Sequence, residues 1–307
     1  MDFKVDWEII DEERRIVKAK MVPDPDRYER RTINGKDGYF DKYDQFFFSD
    51  EALAKAAKTL ASKPIYAPPA TPDLNQYFDD AKKRMAQSLE SEIQLERELD
   101  RGSAYLKISS GRELLFVVLY IDIVGSTELS RVLSPVAQRT LIPTFLREMT
   151  LLIDAYGGYA HKYTGDGLIA FFPADTFWTS VTDLAIDCAV AMRLLLVHVF
   201  NPLLKSKSYP TLQFRIGVDS GETQIVDLGA ENVKSTPDLL GYTMNIAAKI
   251  CAACPPDKIA IGESVFRNLH VSRKKHFEEM SLPKERWNYL DASTNRRYSV
   301  FVLAGSS

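Results

Sequence analysis

Two aspartates carry the strongest chemical signal in the chain. Asp122 closes a run of apolar residues in Ile121-Asp122-Ile123-Val124-Gly125-Ser126-Thr127. An ionised carboxylate flanked by isoleucines is costly to desolvate and needs donors, a cation or solvent. Gly125, Ser126 and Thr127 come next, and small residues ahead of a helix leave backbone N–H groups free to face an anion. A metal ligand and a phosphate cradle therefore lie side by side, although Asp122 or Ser126 could equally cap the following helix. Asp166 stands between two glycines in Thr164-Gly165-Asp166-Gly167, and an Asp-Gly turn needs no function of its own. The pair says more than either member. If their strands are neighbours, two carboxylates converge at one sheet edge beside a phosphate-binding turn. Hard cations such as Mg2+ favour that setting and bind together with substrate phosphates. Two such ions serve an in-line displacement at phosphorus.

A second polar group involves Lys162 and Asp238. Strand alternation puts Lys162 on one face with Ala160 and Thr164, and turns His161 to the other face as a packing residue. A lysine in a half-buried strand wants a partner, or else lies at an edge with its stem reaching solvent. Asn245 and Lys249 are four apart in a helical stretch and share a face. An amide and a cation so placed suit a ribose or a phosphate, and also suit an ordinary solvated face. Cys251 and Cys254 form a lone CxxC with no second CxxC and no suitably spaced histidine pair, so a zinc site lacks ligands. Both read as small buried residues at a helix end.

The elements that would carry these residues alternate. Residues 114–121 (LLFVVLYI) read as a strand buried on both faces. Helices follow over 127–132 and 135–156, with Pro135 in the first turn of the second. Strands at 159–164 and 168–172 form a hairpin about Gly165-Asp166-Gly167. Residues 177–200 are helical, 212–218 and 223–226 are strands around Asp219-Ser220-Gly221, 243–253 are helical, and 258–261 and 298–303 are strands. The alternation implies an α/β (α+β) sandwich with a ferredoxin-like βαββαβ core. Residues 1–112 are rich in Pro, Asp and Arg and read as an irregular N-terminal extension, with helices at 50–62 and 78–99. The expected organisation is an extension over 1–112, a catalytic domain over 113–270, and C-terminal strands over 271–307 that complete it.

Composition excludes several classes. With 39 Lys and Arg against 42 Asp and Glu, the net charge of −3 argues against electrostatic binding to nucleic acid or anionic lipid. Three cysteines cannot all pair within one chain, which argues against a disulfide-stapled secreted protein. The longest apolar stretch, 184–200, is interrupted by Asp187, Arg193 and His198, so it reads as a buried helix and not a membrane span. The opening MDFKVDWEII has no signal-peptide pattern, and the expected location is the cytoplasm.

Four motifs in order, YIDIVGST at 120–127, HKYTGDGLIAFF at 161–172, FRIGVDSG at 214–221 and DLLGYTMNIAAKI at 238–250, resemble the class III adenylate and guanylate cyclase catalytic domain. The resemblance covers roughly residues 112–270. It implies that Asp122 and Asp166, with the backbone carbonyl of Ile123, hold two Mg2+ or Mn2+ ions. It implies that Gly125, Ser126 and Thr127 bind the triphosphate of a nucleoside triphosphate. Lys162 and Asp238 fall at the base-reading positions, and Asn245 at the ribose-orienting asparagine. Lys249 stands at the transition-state arginine, where lysine keeps the charge and loses the planar fork. Asp219 stands where many relatives have histidine. In that family the metal aspartates and the base, ribose and transition-state residues come from different subunits. A homodimer with composite sites is therefore implied, with no organic cofactor.

A carboxylate accepts from an exocyclic amine and a lysine donates to a ring nitrogen. Adenine and cytosine present that pair, whereas guanine and uracil present the opposite order. Tyr163 and Tyr242 are bulky enough to fill space a purine would need. The chain also resembles the bacterial pyrimidine cyclases of Pycsar antiphage defence, which make cyclic CMP or cyclic UMP for a downstream cyclic-nucleotide-binding effector. The alternatives are an adenylate cyclase making cyclic AMP and a catalytically degenerate nucleotide sensor, the latter opposed by the presence of both aspartates.

Overall fold

The computed structural model describes residues 3–11, 16–43, 45–54, 65–66, 72–90, 100–174, 178–230, 234–291 and 294–304. Of the helix expected over 50–62, residues 50–54 are helical and the rest lie outside the described residues. The chain divides into two compact units, Met1–Ala70 with His270–Lys274 and Thr71–Leu269 with Lys275–Ser307. The division between these compact units falls after residue 70.

The first unit is not irregular. It contains β1 (Phe3–Asp11), β2 (Ile16–Pro23), β3 (Tyr28–Ile33), β4 (Lys36–Asp41), β5 (Phe46–Ser49) and β6 (Ile65–Tyr66), in two three-stranded sheets of order β1-β2-β6 and β3-β4-β5. Within the Arg-rich segment that reads as a loop, residues 25–27 do form a turn, whereas Arg30 and Arg31 lie in strand β3. The Arg30 and Arg31 guanidiniums lie 4.8 and 4.2 Å from the ring centroids of Tyr39 and Phe40 on β4. Arginine here covers aromatic rings, which hides the strand from a polarity count.

The second unit runs α1 (Leu74–Ser88), α2 (Arg101–Ile108), β7 (Glu113–Ile123), α3 (Ser126–Val132), α4 (Pro135–Ala155), β8 (Tyr159–Tyr163), β9 (Leu168–Pro173) and α5 (Trp178–Leu195). α5 continues through a π-turn, Leu196–Phe200, into α6 (Asn201–Ser206). There follow β10 (Phe214–Ala230), β11 (Lys234–Leu240), α7 (Tyr242–Ala253), β12 (Lys258–Gly262), α8 (Glu263–Asn268), β13 (Phe277–Glu279) and β14 (Val300–Leu303). The helix expected over 78–99 is α1, which ends at Ser88; residues 91–99 lie outside the described residues.

The strands form one sheet of order β13-β14-β12-β10-β7-β9-β8, with β11 paired to β10. Within it β10-β7-β9-β8 is antiparallel throughout, the expected βαββαβ core, and β12 adds parallel to β10. Alternation along β7 sorts the core. Val117, Leu119, Ile121 and Ile123 pack with Leu141, Phe145 and Met149 of α4 and with α5. Phe116 and Val118 pack on the other face with Leu106 of α2 and Met244 and Ala247 of α7. Each face is covered, which is why β7 reads as an unbroken apolar run.

One expected feature is corrected. Residues 212–218 and 223–226 are not two strands; β10 is continuous, and Asp219, Ser220 and Gly221 pair with Val118, Val117 and Phe116. Asp-Ser-Gly reads as a turn because those residues favour turns. Here Asp219 is 2% exposed and accepts the Tyr298 hydroxyl at 2.7 Å. That buried bond accommodates the carboxylate within a strand.

Burial pushes the Asp219 carboxyl up to about 7, against the bonds from Tyr298 and the Ser220 N–H. A carboxyl raised on folding favours the folded chain while protonated, and that contribution is lost as pH rises from its unfolded value near 4 through about 7. Asp219→Asn keeps the acceptor oxygen without the charge. It is expected to melt several degrees above the parent at pH 8 (roughly 2–4 °C per kcal/mol), with the difference shrinking towards pH 4. Calorimetric scans across this range check it, and a pH-independent difference contradicts it.

Candidate active site

The register of three strands builds the carboxylate site. β10 sets Arg215 opposite Asp122, and its Nη2 donates to Asp122 Oδ2 at 3.1 Å. Nη1 of Arg215 donates to the Ala252 carbonyl of α7 at 3.2 Å, and its Nε is buried without a partner among the described residues. β9 pairs Leu168 with Ile121, which carries the 164–167 turn up to Asp122. In that turn the Thr164 N–H donates to the Gly167 carbonyl at 2.9 Å, and Gly165 has φ +85°, a conformation other residues rarely adopt. A Cβ built on Gly167 would lie 3.2 Å from Asp122 Oδ1. The turn therefore abuts the first carboxylate.

Burial and then the charge of Asp166 raise the Asp122 carboxyl above the usual range, against Arg215 and the Ile123 N–H. Oδ2 of Asp166 is buried and has no hydrogen-bond partner among the described residues. A buried carboxylate oxygen without a donor, next to a second carboxylate, is the unmet demand that a divalent cation satisfies. The residues present thus fit the implied Mg2+ or Mn2+. Ile123 ends β7, so its backbone lies at this edge. Gly125, at φ +70°, is the N-cap of α3, and Ser126 and Thr127 open the helix. N–H groups in a first helical turn have no intrahelical partner and can face an anion. Val124 N–H is already engaged by the Gln213 carbonyl at 2.8 Å.

Lys162 and Asp238 come together. β11 extends from β10 so that Asp238 reaches β8, where Lys162 Nζ donates to its Oδ2. His161 is the correction here. It does not turn to the opposite face: its Nε2 meets Asp238 Oδ1 at 2.8 Å. The cause is a β-bulge. Ala160 pairs with Ala170 and Lys162 with Ile169, so His161 is an extra residue and strict alternation fails. The Leu239 N–H also donates to Asp238 Oδ1, at 2.8 Å. Burial alone would raise the Asp238 carboxyl; Lys162, His161 and the Leu239 N–H together hold it below the usual range. Burial pushes the His161 imidazole down, against Asp238. A neutral His161 therefore donates to an ionised Asp238.

Asn245 and Lys249 are exposed on α7, opposite its buried Ile246, Ala247 and Ile250. Lys249 faces a cavity of about 310 Å³ lined also by Arg286, Trp287 and Tyr289. Two cations on one cavity suit an anion. Tyr163 bonds Thr150 at 3.0 Å, and Tyr242 donates to the Leu290 carbonyl at 2.9 Å. Cys251 and Cys254 are buried, and burial pushes both thiols up to about 12, with Asp122 the next cause for Cys251. The second half of α7 thus runs beside the carboxylates. Arg215 and Arg286 are not singled out by the sequence, which marks His161 only as a packing residue. Arg215 sits in the FRIGVDSG motif, but its place opposite Asp122 depends on a register that no local pattern reveals.

The adenylate and guanylate cyclase catalytic domain family matches residues 114–288, more than half of the chain. This chain belongs to the class III nucleotidyl cyclase family. It is 28% identical over 164 residues to a cytidylate cyclase of Escherichia coli, covering 51% of this chain and 35% of that protein. It is 23% identical over 194 residues to a cytidylate cyclase of Staphylococcus aureus, covering 60% and 45%. An adenylate cyclase of Anabaena cylindrica is 27% identical over 176 residues, covering 55% and 34%. The chain thus spans less than half the length of each of these relatives. In fold it is similar to the guanylyl cyclase Cya2 (TM-score 0.53, 21% identity, 64% of this chain and 95% of that one) and to the adenylyl cyclase CyaB of P. aeruginosa (TM-score 0.53, 21% identity, 64% and 96%).

Two crowded carboxylates make cation binding directly measurable. Saturating Mn2+ is expected to raise the melting temperature of the parent by several degrees, as a ligand of the folded state does. Asp166→Asn removes the like charge, so it is expected to melt no lower without metal and to lose the Mn2+ response. A parent unmoved by Mn2+, or an Asp166→Asn variant that responds in full, contradicts this.

Proposed function

We propose that this chain is a cytidylate cyclase that converts CTP to 3′,5′-cyclic CMP and pyrophosphate. The observation that carries the reading is the meeting of Asp122 and Asp166 beside the α3 N-terminus, with a buried Asp166 oxygen left without a donor among the described residues. Arg215, Gly125, Ser126 and Thr127 would bind the triphosphate. Asn245 would orient the ribose, and Lys249 with Arg286 would meet the charge that grows at phosphorus. The ribose 3′-oxygen loses its proton and bonds the α-phosphorus, the bond from that phosphorus to the β-phosphate oxygen breaks, and pyrophosphate leaves. Held by Asp122, Asp166 and the Ile123 carbonyl, two Mg2+ or Mn2+ ions would activate the 3′-hydroxyl and neutralise the phosphates. The protein's part is alignment and fixed charge, the main source of acceleration in phosphoryl transfer.

The choice of base rests on Lys162 and Asp238. Their order matches the N4 amine and N3 acceptor of cytosine, and two relatives bear the name cytidylate cyclase. Adenine offers the same order, and one relative is named adenylate cyclase, so ATP is the competing substrate. We further propose a head-to-tail homodimer, because one chain carries both the carboxylates and the base and ribose residues. The exposed Tyr163, Leu240 and Tyr242 provide apolar surface near the latter. The product would act as a second messenger of Pycsar-type antiphage defence, read by a cyclic-nucleotide-binding effector.

With Mn2+ and each of the four nucleoside triphosphates, mass spectrometry is expected to find cyclic CMP as the main product. Asp122→Ala and Asp166→Ala should each lower turnover by about a thousandfold or more, given the electrostatic share of such catalysis. Cyclic UMP as the main product contradicts the base reading; no cyclic product at all contradicts the activity. Asp122→Ala and Asn245→Ala chains, each inactive alone, are expected on mixing to regain about a quarter of parental turnover. Half the dimers are then mixed and each keeps one intact site. No recovery in verified mixed dimers argues against composite sites.

A further inference from the structure

We infer that His161 is a positioning residue for base recognition: it locks the Asp238 carboxylate so that only Oδ2 is left to read a base amine. This rests on the cyclase reading above.

The geometry divides the work between the two carboxylate oxygens. Oδ1 takes two donors, His161 Nε2 at 2.8 Å and the Leu239 N–H at 2.8 Å. Among the described residues, Oδ2 takes only Lys162 Nζ. The first set is fixed. The His161 side chain is 4% exposed and Asp238 10%, whereas the Lys162 side chain is 47% exposed and free to move with a ligand. Phe171 holds the imidazole edge-on at 5.8 Å between centroids, so the ring has little freedom to turn. Two donors on one oxygen define the carboxylate plane and occupy that oxygen. The remaining oxygen faces Lys162, which gives one acceptor and one movable donor: the pair that matches cytosine N4 and N3.

The bulge is what makes this possible. A regular strand would send residues 161 and 162 to opposite faces, and only Lys162 could then reach β11. The extra residue in β8 brings both side chains to one carboxylate. Without the His161 donor, Asp238 would keep its charge and its bonds to the Leu239 N–H and Lys162, but Oδ1 would lose one of its two donors and the carboxylate would be held less tightly about its last torsion. A loosely held acceptor accepts an amine less tightly and rejects the opposite hydrogen-bond order less firmly.

The test compares His161→Leu, which has no donor, with His161→Gln, whose amide can donate, using purified full chain with Mn2+ and CTP, ATP or UTP. For His161→Leu we expect KM for CTP to rise about tenfold, the scale of one buried hydrogen bond, with a smaller change in kcat. The ratio of kcat/KM for CTP over UTP should fall by a similar factor. His161→Gln should recover most of both. Thermal melts of the two variants separate loss of folding from loss of recognition, since a packing role alone would leave the base ratio unchanged. Parental KM and base ratio in His161→Leu overturn the inference while leaving the cyclase reading intact. An equal loss in His161→Gln at unchanged melting temperature overturns it as well. A parent that cyclises no triphosphate overturns both.

Discussion

The structure of the site depends on holding two carboxylates together at the end of one central strand. Asp122 and Asp166 repel, burial opposes the charge on Asp122, and one oxygen of Asp166 has no donor among the described residues. Neither residue would choose this place. They are held there by strands β7, β9 and β10, whose pairing is secured along their length by apolar side chains on both faces. A one-residue slip of β10 would remove Arg215 from Asp122 and would also turn the inner residues of β10 outward, so the hydrophobic core enforces the electrostatic arrangement. Strain of this kind at a site is compensated by the core and relieved by a ligand. The core supplies the energy, and the site presents an unmet demand for positive charge that a metal-triphosphate complex would fill.

The second polar group differs in character. Lys162, His161 and Asp238 satisfy one another in the free chain, and Asp238 is held ionised. A base entering there has no vacancy to fill; it must exchange with the Lys162 bond. Exchange of that sort gives selectivity more than affinity, because a base with the wrong order leaves both Lys162 and Asp238 unpaired. On the proposed reading, one edge of the fold would hold metal ions together with the triphosphate and another would discriminate among bases. That division suits a proposed enzyme whose four possible substrates share one triphosphate.

Much of this was legible in the residues. The βαββαβ order followed from the unbroken apolar run of β7, the Gly-Asp-Gly turn and the helical stretches between them. Residue type and position alone pair Asp122 with Asp166 and Lys162 with Asp238. What escaped has definite physical causes. The β8 bulge breaks the period-two rule by one residue, so His161 was placed on the wrong face. Asp219-Ser220-Gly221 resembles a turn until the buried Tyr298 hydroxyl supplies the bond that lets an aspartate sit within a strand. Arg30 and Arg31 make β3 look like a loop because their polarity is counted and their aromatic partners, Tyr39 and Phe40, nine positions away, are not. Arg215 and Arg286 act through tertiary proximity alone.

The most direct test of the central claim is the anomalous scattering of Mn2+ in crystals grown with a non-cyclisable α,β-methylene analogue of CTP. Two manganese peaks are expected beside Asp122 and Asp166, within reach of the Ile123 carbonyl and the phosphate oxygens. Manganese held elsewhere on the chain, or Asp122 and Asp166 pointing to different ions or to none, would contradict that claim.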